Sequence, residues 1–278
     1  MAGKIWLVTG SSSGFGRLMT ETALKHGDKV VATLRKPEAL SELSSEYPSS
    51  QLLVLKLDVT KRDEVKKAFS AAHAHFGRID VVFNNAGNIV FGPIEGTPDH
   101  LSRELFELNL WGAVNVSSTA VEGFREYNKP AGGHLIQMSS HAGITGFPRV
   151  GFYSGTKFAL EGVTEALAAE LDPTWNIKVT LLEPGSFYTG GHGRGDFAPP
   201  HPAYKQPDVS KMLNGEGMSD PVKGVEAVYR MASLHNPPLH FPLGKDALAT
   251  ISAKAKKLLA ATEEYAGWSE GLELESKL

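Results

Sequence analysis

The sequence predicts a doubly wound parallel α/β sheet in a single domain, on three observations. Six short apolar runs alternate with stretches of helical periodicity over residues 5–182. A glycine-rich turn joins the first run to the first helix. The polar residues that look out of place fall at the carboxyl ends of those runs, or on the helix that follows. In open α/β sheets that edge is where ligands bind.

Bulk composition sets the bounds. A chain of 278 residues, 41% hydrophobic and 21% charged, can bury a full core. A net charge of −3 gives no reason to expect nucleic acid or an anionic membrane surface. Without cysteine there are no disulfides, thiolate metal sites or cysteine nucleophiles. No apolar run approaches the roughly 20 residues that span a bilayer. The first strand begins near Lys4, leaving no room for a signal peptide. A cytoplasmic protein is expected.

Residues 5–9 (IWLVT) read as a strand buried on both faces. They run into Gly10-x-x-x-Gly14-x-Gly16 and then a helix over residues 17–26. Between strand and helix, such glycines let the backbone approach phosphates, and the helix N-terminus supplies N–H donors. Taken alone, the loop is equally an ordinary flexible turn. Ser12 and Ser13 add hydroxyl donors to the same region. The second strand, residues 29–34, ends at Leu34 and Arg35. An acid at this tip binds a ribose 2′-hydroxyl, whereas an arginine accommodates a 2′-phosphate. NADP is therefore favoured over NAD, unless Arg35 is a solvated loop charge.

The third strand, residues 51–57, ends in Asp58-Val59. Asp58 either meets an adenine edge or caps the helix starting near Lys61. Residues 80–83 form a fourth strand, ending in Asn84-Asn85-Ala86-Gly87, small residues suited to a ligand crevice. A long helix over residues 98–127 carries Asn109 among Leu105, Leu108, Leu110 and Trp111, where a polar group needs a partner. The fifth strand, residues 133–138, delivers Ser139 and Ser140.

A helix over residues 153–171 follows, its apolar positions recurring at Phe158, Leu160, Val163, Leu167 and Leu171. It places Tyr153 and Lys157, four apart, on one face. A neighbouring ammonium favours the phenolate and lowers the phenol pKa from about 10. Such a phenol can exchange a proton with an alcohol or carbonyl oxygen. The plainer alternative is two exposed polar residues on a helix. The sixth strand, residues 177–182, ends in Glu183-Pro184-Gly185.

Taken together, Thr9-Gly10-x-x-x-Gly14-x-Gly16, Asn84-Asn85-Ala86-Gly87, Asn109, Ser140, Tyr153-x-x-x-Lys157 and Pro184-Gly185 with Thr189 resemble the short-chain dehydrogenase/reductase family, over residues 4–190. Arg35 after Ala32-Thr33-Leu34 is similar to the NADP-preferring branch that includes 17β-hydroxysteroid and retinol dehydrogenase-like members. The resemblance implies a Rossmann fold and hydride transfer between NADP(H) and a hydrophobic alcohol or ketone. Tyr153 would be the general acid/base. Lys157 would hold the nicotinamide ribose and depress the tyrosine pKa. Ser140 would orient the substrate oxygen, and Asn109 would kink its helix and hold a water linked to Lys157. Gly10, Ser12, Ser13, Gly14, Phe15 and Gly16 would cradle the pyrophosphate, with Arg35 at the 2′-phosphate. Asp58 and Val59 would meet the adenine, and Asn85, Ala86 and Gly87 the ribose. Pro184, Gly185, Phe187 and Thr189 would seat the nicotinamide. Family members commonly pair through the helices around residues 101–124 and 158–171, so a homodimer or homotetramer is expected. A non-redox member of the same fold, or an NADPH-sensing protein without turnover, is the competing reading. Trp6 is bulkier than the family pattern in the first strand and would force local repacking. The direction in which His141 faces is open.

Residues 186–220 are irregular, rich in glycine and proline, and read as a substrate lid. Phe147 and Tyr188, together with Phe91, Phe152 and Phe187, offer an apolar lining. Arg194-Gly195-Asp196 and the sequon at Asn115 are coincidences of spelling. His192 and His201 lack a third partner at metal-binding spacing, so no metal is expected. A helix is predicted over 221–233, a last short strand over 240–244, and an amphipathic helix over 246–265 with Lys254, Lys256 and Lys257 on a solvated face. The extension 246–278 ends in an acidic tail that is expected to fray.

Overall fold

The computed structural model describes residues 3–189, 195–205 and 214–274. Its centre is a seven-stranded sheet in the order β3-β2-β1-β4-β6-β7-β9, parallel throughout. The strands are β1 (Ile5–Thr9), β2 (Lys29–Leu34), β3 (Leu52–Lys56), β4 (Val81–Asn84), β6 (Gly133–Met138), β7 (Ile177–Pro184) and β9 (His240–Leu243). All six expected strands are present, and the short run near residue 240 joins the same sheet as the seventh. The chain builds outward from β1 through β2 to β3, then returns to start the other wing at β4. That reversal puts the switch point between β1 and β4, where a ligand crevice opens.

All five residues of β1 are buried, because helices cover both faces of the sheet. Alternate side chains feed separate cores. Trp6 and Val8 pack with Phe15, Met19, Val225 and Val228, from α1 (Gly14–Lys25) and α7 (Pro221–Met231). Leu7 packs on the other side with Val65, Phe69 and Val116, from α3 (Arg62–Phe76) and α5 (Ala113–Glu122). Trp6 is accommodated without disruption. Its Nε1 donates to Asp28 Oδ2 at 2.8 Å, and its ring stacks on Tyr229 at 5.6 Å between centroids.

The remaining helices are α2 (Ser41–Glu46), α4 (Asp99–Phe106), α6 (Gly151–Glu170) and α8 (Lys245–Glu264). The long helix expected over 98–127 is one continuous helical run, but two wide π turns, Glu107–Gly112 and Gly123–Tyr127, interrupt its α-helical pitch. The segment expected to be wholly irregular contributes a short strand, β8 (Asp196–Phe197), which pairs in parallel with β5 (Val90–Phe91). Residues 190–194 and 206–213 of the proposed lid, with His192 and Arg194, lie outside the described residues. No helix among the described residues is long and apolar enough to cross a membrane.

Candidate active site

A cleft of about 960 Å³ opens over the carboxyl ends of β1 and β4. Of the residues expected to hold a nucleotide, Gly10, Ser12, Ser13, Gly14, Phe15, Arg35, Asp58, Val59, Asn85, Ala86, Gly87 and Thr189 all line it. Tyr153 and Lys157 line the same cleft. Two runs 140 residues apart in the chain thus share one wall-to-wall space.

The floor is built from the end of β1. Gly10 and Gly14 have φ of 71° and 56°, left-handed values that a side chain would make costly. They turn the chain so that the first residues of α1, Gly14 and Phe15, line the cleft. Thr9 ties the turn to the neighbouring strand end: its Oγ1 accepts from the amides of Asn85 at 2.9 Å and Ala86 at 3.0 Å, and its carbonyl accepts from Asn85 Nδ2 at 2.9 Å. At the tip of β2, Arg35 is exposed on the cleft rim, and no ion-pair partner holds it among the described residues. Asp58 does not cap α3, whose N-cap is Lys61. Its Oδ1 instead accepts from the amide and hydroxyl of Thr60, leaving it on the cleft wall.

Asn109 sits in the first π turn and finds its partners there. Its Oδ1 accepts from the Asn88 amide at 2.9 Å, and its Nδ2 donates to the Asn88 carbonyl at 2.8 Å and to Thr156 Oγ1 at 3.2 Å. Thr156 Oγ1 in turn donates to the Tyr153 carbonyl at 2.7 Å. The asparagine thereby clamps a cleft-lining backbone segment to the helix that carries Tyr153. A π turn is what lets a helical side chain reach sideways in this way.

Tyr153 and Lys157 project together from α6, with Lys157 Nζ 5.7 Å from the tyrosine ring centroid. Lys157 Nζ donates to the Met138 carbonyl, the last of β6, at 2.7 Å. Burial is the dominant force on both groups. It pushes the Lys157 ammonium down to about 8, against the pull of Glu161. It raises the Tyr153 phenol above its ordinary value, opposed by a hydrogen bond with Ser140. Of the influences on the phenol, burial raises it and the Ser140 hydroxyl lowers it, with Lys157 not among them. Ser140 is itself buried, its Oγ accepting from the Ala142 amide at 3.1 Å.

Four expected cofactor residues do not line the cleft. Gly16 is a packing glycine, where a Cβ would come 2.4 Å from the Gly10 carbonyl oxygen. Gly185 lies under Asp246 of α8, which accepts from the Ser186 amide at 2.7 Å. Pro184 is buried at the end of β7. Phe187 points into the core and meets Phe15 edge-on, with centroids 5.2 Å apart. Nor do the two expected substrate aromatics reach the cleft wall. Phe147 packs against His141 at 4.7 Å, which also settles where that histidine faces, and Tyr188 is largely exposed beside Gly215.

One cluster was not anticipated. Glu161, one turn after Lys157, is buried with Glu183 at the end of β7, and His240 Nδ1 closes on Glu183 Oε1 at 2.6 Å. The three bring ligand-type atoms within 4.8 Å of one another. Burial pushes Glu161 up to about 7, with Ser139 and His240 opposing and Glu183 adding to the rise. Glu183 is raised by burial as well, against the pull of His240. In His240, burial is outweighed by Glu183 and the other carboxylates, so its pKa rises. The only signal for this in the sequence is helical spacing from Lys157; its partners come from distant strands. His201, for its part, lies 3.6 Å from Glu95.

Comparison with known proteins gives the same assignment. Residues 4–194 match the short chain dehydrogenase family. An uncharacterized oxidoreductase of Schizosaccharomyces pombe is 36% identical over 251 residues, spanning 88% of this chain and 83% of that protein. A short-chain dehydrogenase from Streptomyces avermitilis superposes with a TM-score of 0.87 at 34% identity, covering 99% of this chain and 100% of that one. Two more distant folds were solved with nucleotides. One is from Burkholderia phymatum with NAD (22% identity, TM-score 0.76, 93% and 95% coverage). The other is from Burkholderia cenocepacia with NADP (24%, TM-score 0.73, 94% and 97% coverage). The chain belongs to the short-chain dehydrogenase/reductase family and is an oxidoreductase.

Proposed function

We propose that the protein transfers a hydride between NADP(H) and a hydrophobic alcohol or ketone, with Tyr153 as the general acid/base. The observation that carries this reading is that Tyr153 and Lys157 open onto the same cleft as the Gly10–Gly14 turn and Arg35. The cleft suits a dinucleotide. Positive-φ glycines and the amides of α1 offer a phosphate cradle, Ser12 and Ser13 add donors, and the β2 tip presents an arginine instead of an acid. When bound, the nicotinamide supplies or accepts the hydride.

The chain's own residues do the rest. Arg35 holds the 2′-phosphate, Asp58 and Val59 border the adenine, and Asn85, Ala86 and Gly87 border the ribose. Thr189 closes the nicotinamide end. Ser140, whose hydroxyl lowers the phenol pKa, aligns the substrate oxygen beside it. A phenol, ordinarily near pKa 10 and here raised by burial, holds its proton at neutral pH, which suits an acid that hands its proton to a carbonyl oxygen as that carbon is reduced. Lys157 donates to the ribose hydroxyls and shares the Met138 carbonyl, so its ammonium fixes the geometry of α6 against β6. The homo-oligomer expected from the family fits the apolar exposure of Trp111, Phe158 and Val163 around α5 and α6.

The test is direct. Purified protein, NADPH and a panel of hydrophobic ketones are monitored for loss of nicotinamide absorbance. Turnover that persists unchanged in Tyr153→Phe would sink the mechanism. NADPH binding by calorimetry without turnover on any ketone would favour a sensing role.

A further inference from the structure

Behind the reacting pair, α6, β7 and β9 bring three ionisable side chains to one point outside the cleft. Glu161 follows Lys157 by one turn of α6, Glu183 is the penultimate residue of β7, and His240 opens β9. None of the three lines the cleft. One ligand-type atom from each lies within 4.8 Å of the others, and no other group of three such side chains is so placed among the described residues.

The arrangement is costly as it stands. Two carboxylates, 4% and 1% exposed, sit together where water screens their like charges poorly. Glu183 has an imidazole, His240 Nδ1 standing 2.6 Å from its Oε1. Glu161 is less well served. His240 Nδ1 is 3.9 Å from its Oε2, and neither of its oxygens closes a hydrogen bond with a described residue. The Ser139 hydroxyl, also buried and without a hydrogen bond, borders the same carboxylate. A Cβ on Gly143 would meet Ser139 Oγ at 2.9 Å and Glu161 Oε1 at 3.2 Å. Buried polar atoms are nearly always satisfied, so orphaned carboxylate oxygens converging on an imidazole call for a cation.

We propose that Glu161, Glu183 and His240 bind a zinc ion that ties α6 to the sheet edge formed by β7 and β9. The donor set is one imidazole nitrogen and two carboxylate oxygens, with water as a fourth ligand. Magnesium and calcium take oxygen ligands, so the imidazole argues against both. Two carboxylates balance the double charge of the ion, and the ion removes the repulsion between them. Ligand atoms around a tetrahedral zinc, with bonds of about 2.0–2.1 Å, stand roughly 3.3 Å apart. The spacings from His240 Nδ1, 2.6 Å to Glu183 and 3.9 Å to Glu161, bracket that value, so small side-chain rotations close the site. The far nitrogen of the imidazole fits as well. Nε2 lies 3.7 Å from Glu165 Oε1, and zinc-bound histidines commonly keep a carboxylate on their second nitrogen. The His240 side chain is 43% exposed, which gives the ion and its water a way in. The ion fixes the helix that carries Tyr153 and Lys157 and takes no part in hydride transfer.

The test uses the full-length chain, freed of metal with a chelator, dialysed, and titrated with zinc chloride in a calorimeter at neutral pH. One zinc per chain is expected, with a melting temperature that rises as zinc is added. Glu165→Gln should weaken binding about tenfold, at the low end of what an outer carboxylate contributes. His240→Ala, at an exposed position outside the cleft, should weaken it further than Glu165→Gln does. NADPH binding and helical content are expected to stay as they were in both variants. Other histidines could hold zinc adventitiously, so zinc bound as tightly by His240→Ala overturns the proposal. So does a wild type that takes up no zinc, whose two carboxylates then share a proton instead. Magnesium competing on equal terms with zinc overturns it too.

Discussion

The two wings of the sheet approach the same cleft by different physics. The wing built on β1, β2 and β3 presents backbone amides, small side chains and, at its strand tips, Arg35 and Asp58. The wing built on β4, β6 and β7 carries Tyr153 and Lys157 on the cleft wall and the buried Glu161 and Glu183 behind them, each moved from its ordinary pKa chiefly by burial. Binding geometry tolerates water at its edge. Proton chemistry is tuned by excluding it.

If that division holds, damage to the second wing should strike turnover and spare binding. Tyr153→Phe removes only the proton, so kcat is expected to fall roughly 10²–10⁴-fold with NADPH affinity unchanged in a calorimeter. A comparable loss of NADPH affinity would blur the two wings. The converse test is Arg35→Ala, which removes a charge-assisted contact. NADPH should bind about tenfold or more weakly, while NADH binding stays as it was; an equal effect on both cofactors would remove Arg35 from the 2′-phosphate.

Asn109 ties the segment after β4 to α6 within the second wing, and its loss tests that clamp. Asn109→Ala leaves the Asn88 amide and carbonyl without their partners, at a cost of about 2 kcal/mol in denaturant unfolding. A neutral result would mean that water replaces the clamp. The smallest effect is the most diagnostic of burial. Glu161 is raised in the fold to about 7 from an ordinary 4.5, so the folded state holds a proton that the unfolded chain has released. The stability this contributes is complete below pH 4.5 and is lost as the pH climbs through 7. Glu161→Gln keeps the shape without the titration. Its melting temperature should gain on the wild type between pH 5 and pH 8, by the equivalent of on the order of 1–3 kcal/mol. Parallel melting curves across that range would show Glu161 charged throughout.

Much of this was legible in the chain. The continuous apolar runs announce strands covered on both faces, and the glycine turn, Asn84–Gly87 and Tyr153-x-x-x-Lys157 announce the crevice, because strand ends and helix faces follow from local periodicity. Phe187 was assigned to the ligand by its character, but an aromatic ring serves a core as readily as a pocket, and only packing distinguishes the two. Gly16 and Gly185 likewise answer to neighbours distant in sequence. The Glu161–Glu183–His240 cluster had no local signature, since its members come from α6, β7 and β9.

The strands' existence, the glycine turn and the spacing of Tyr153 and Lys157 are properties of short stretches, set by hydrophobic period, by φ and by side-chain type. The protonation of Tyr153, Lys157 and Glu161 is not. It depends on how much water the assembled wings exclude, a cost of burial that spacing alone does not contain. Desolvation is a property of the volume around a group, and that volume exists only once strands far apart in sequence have come together.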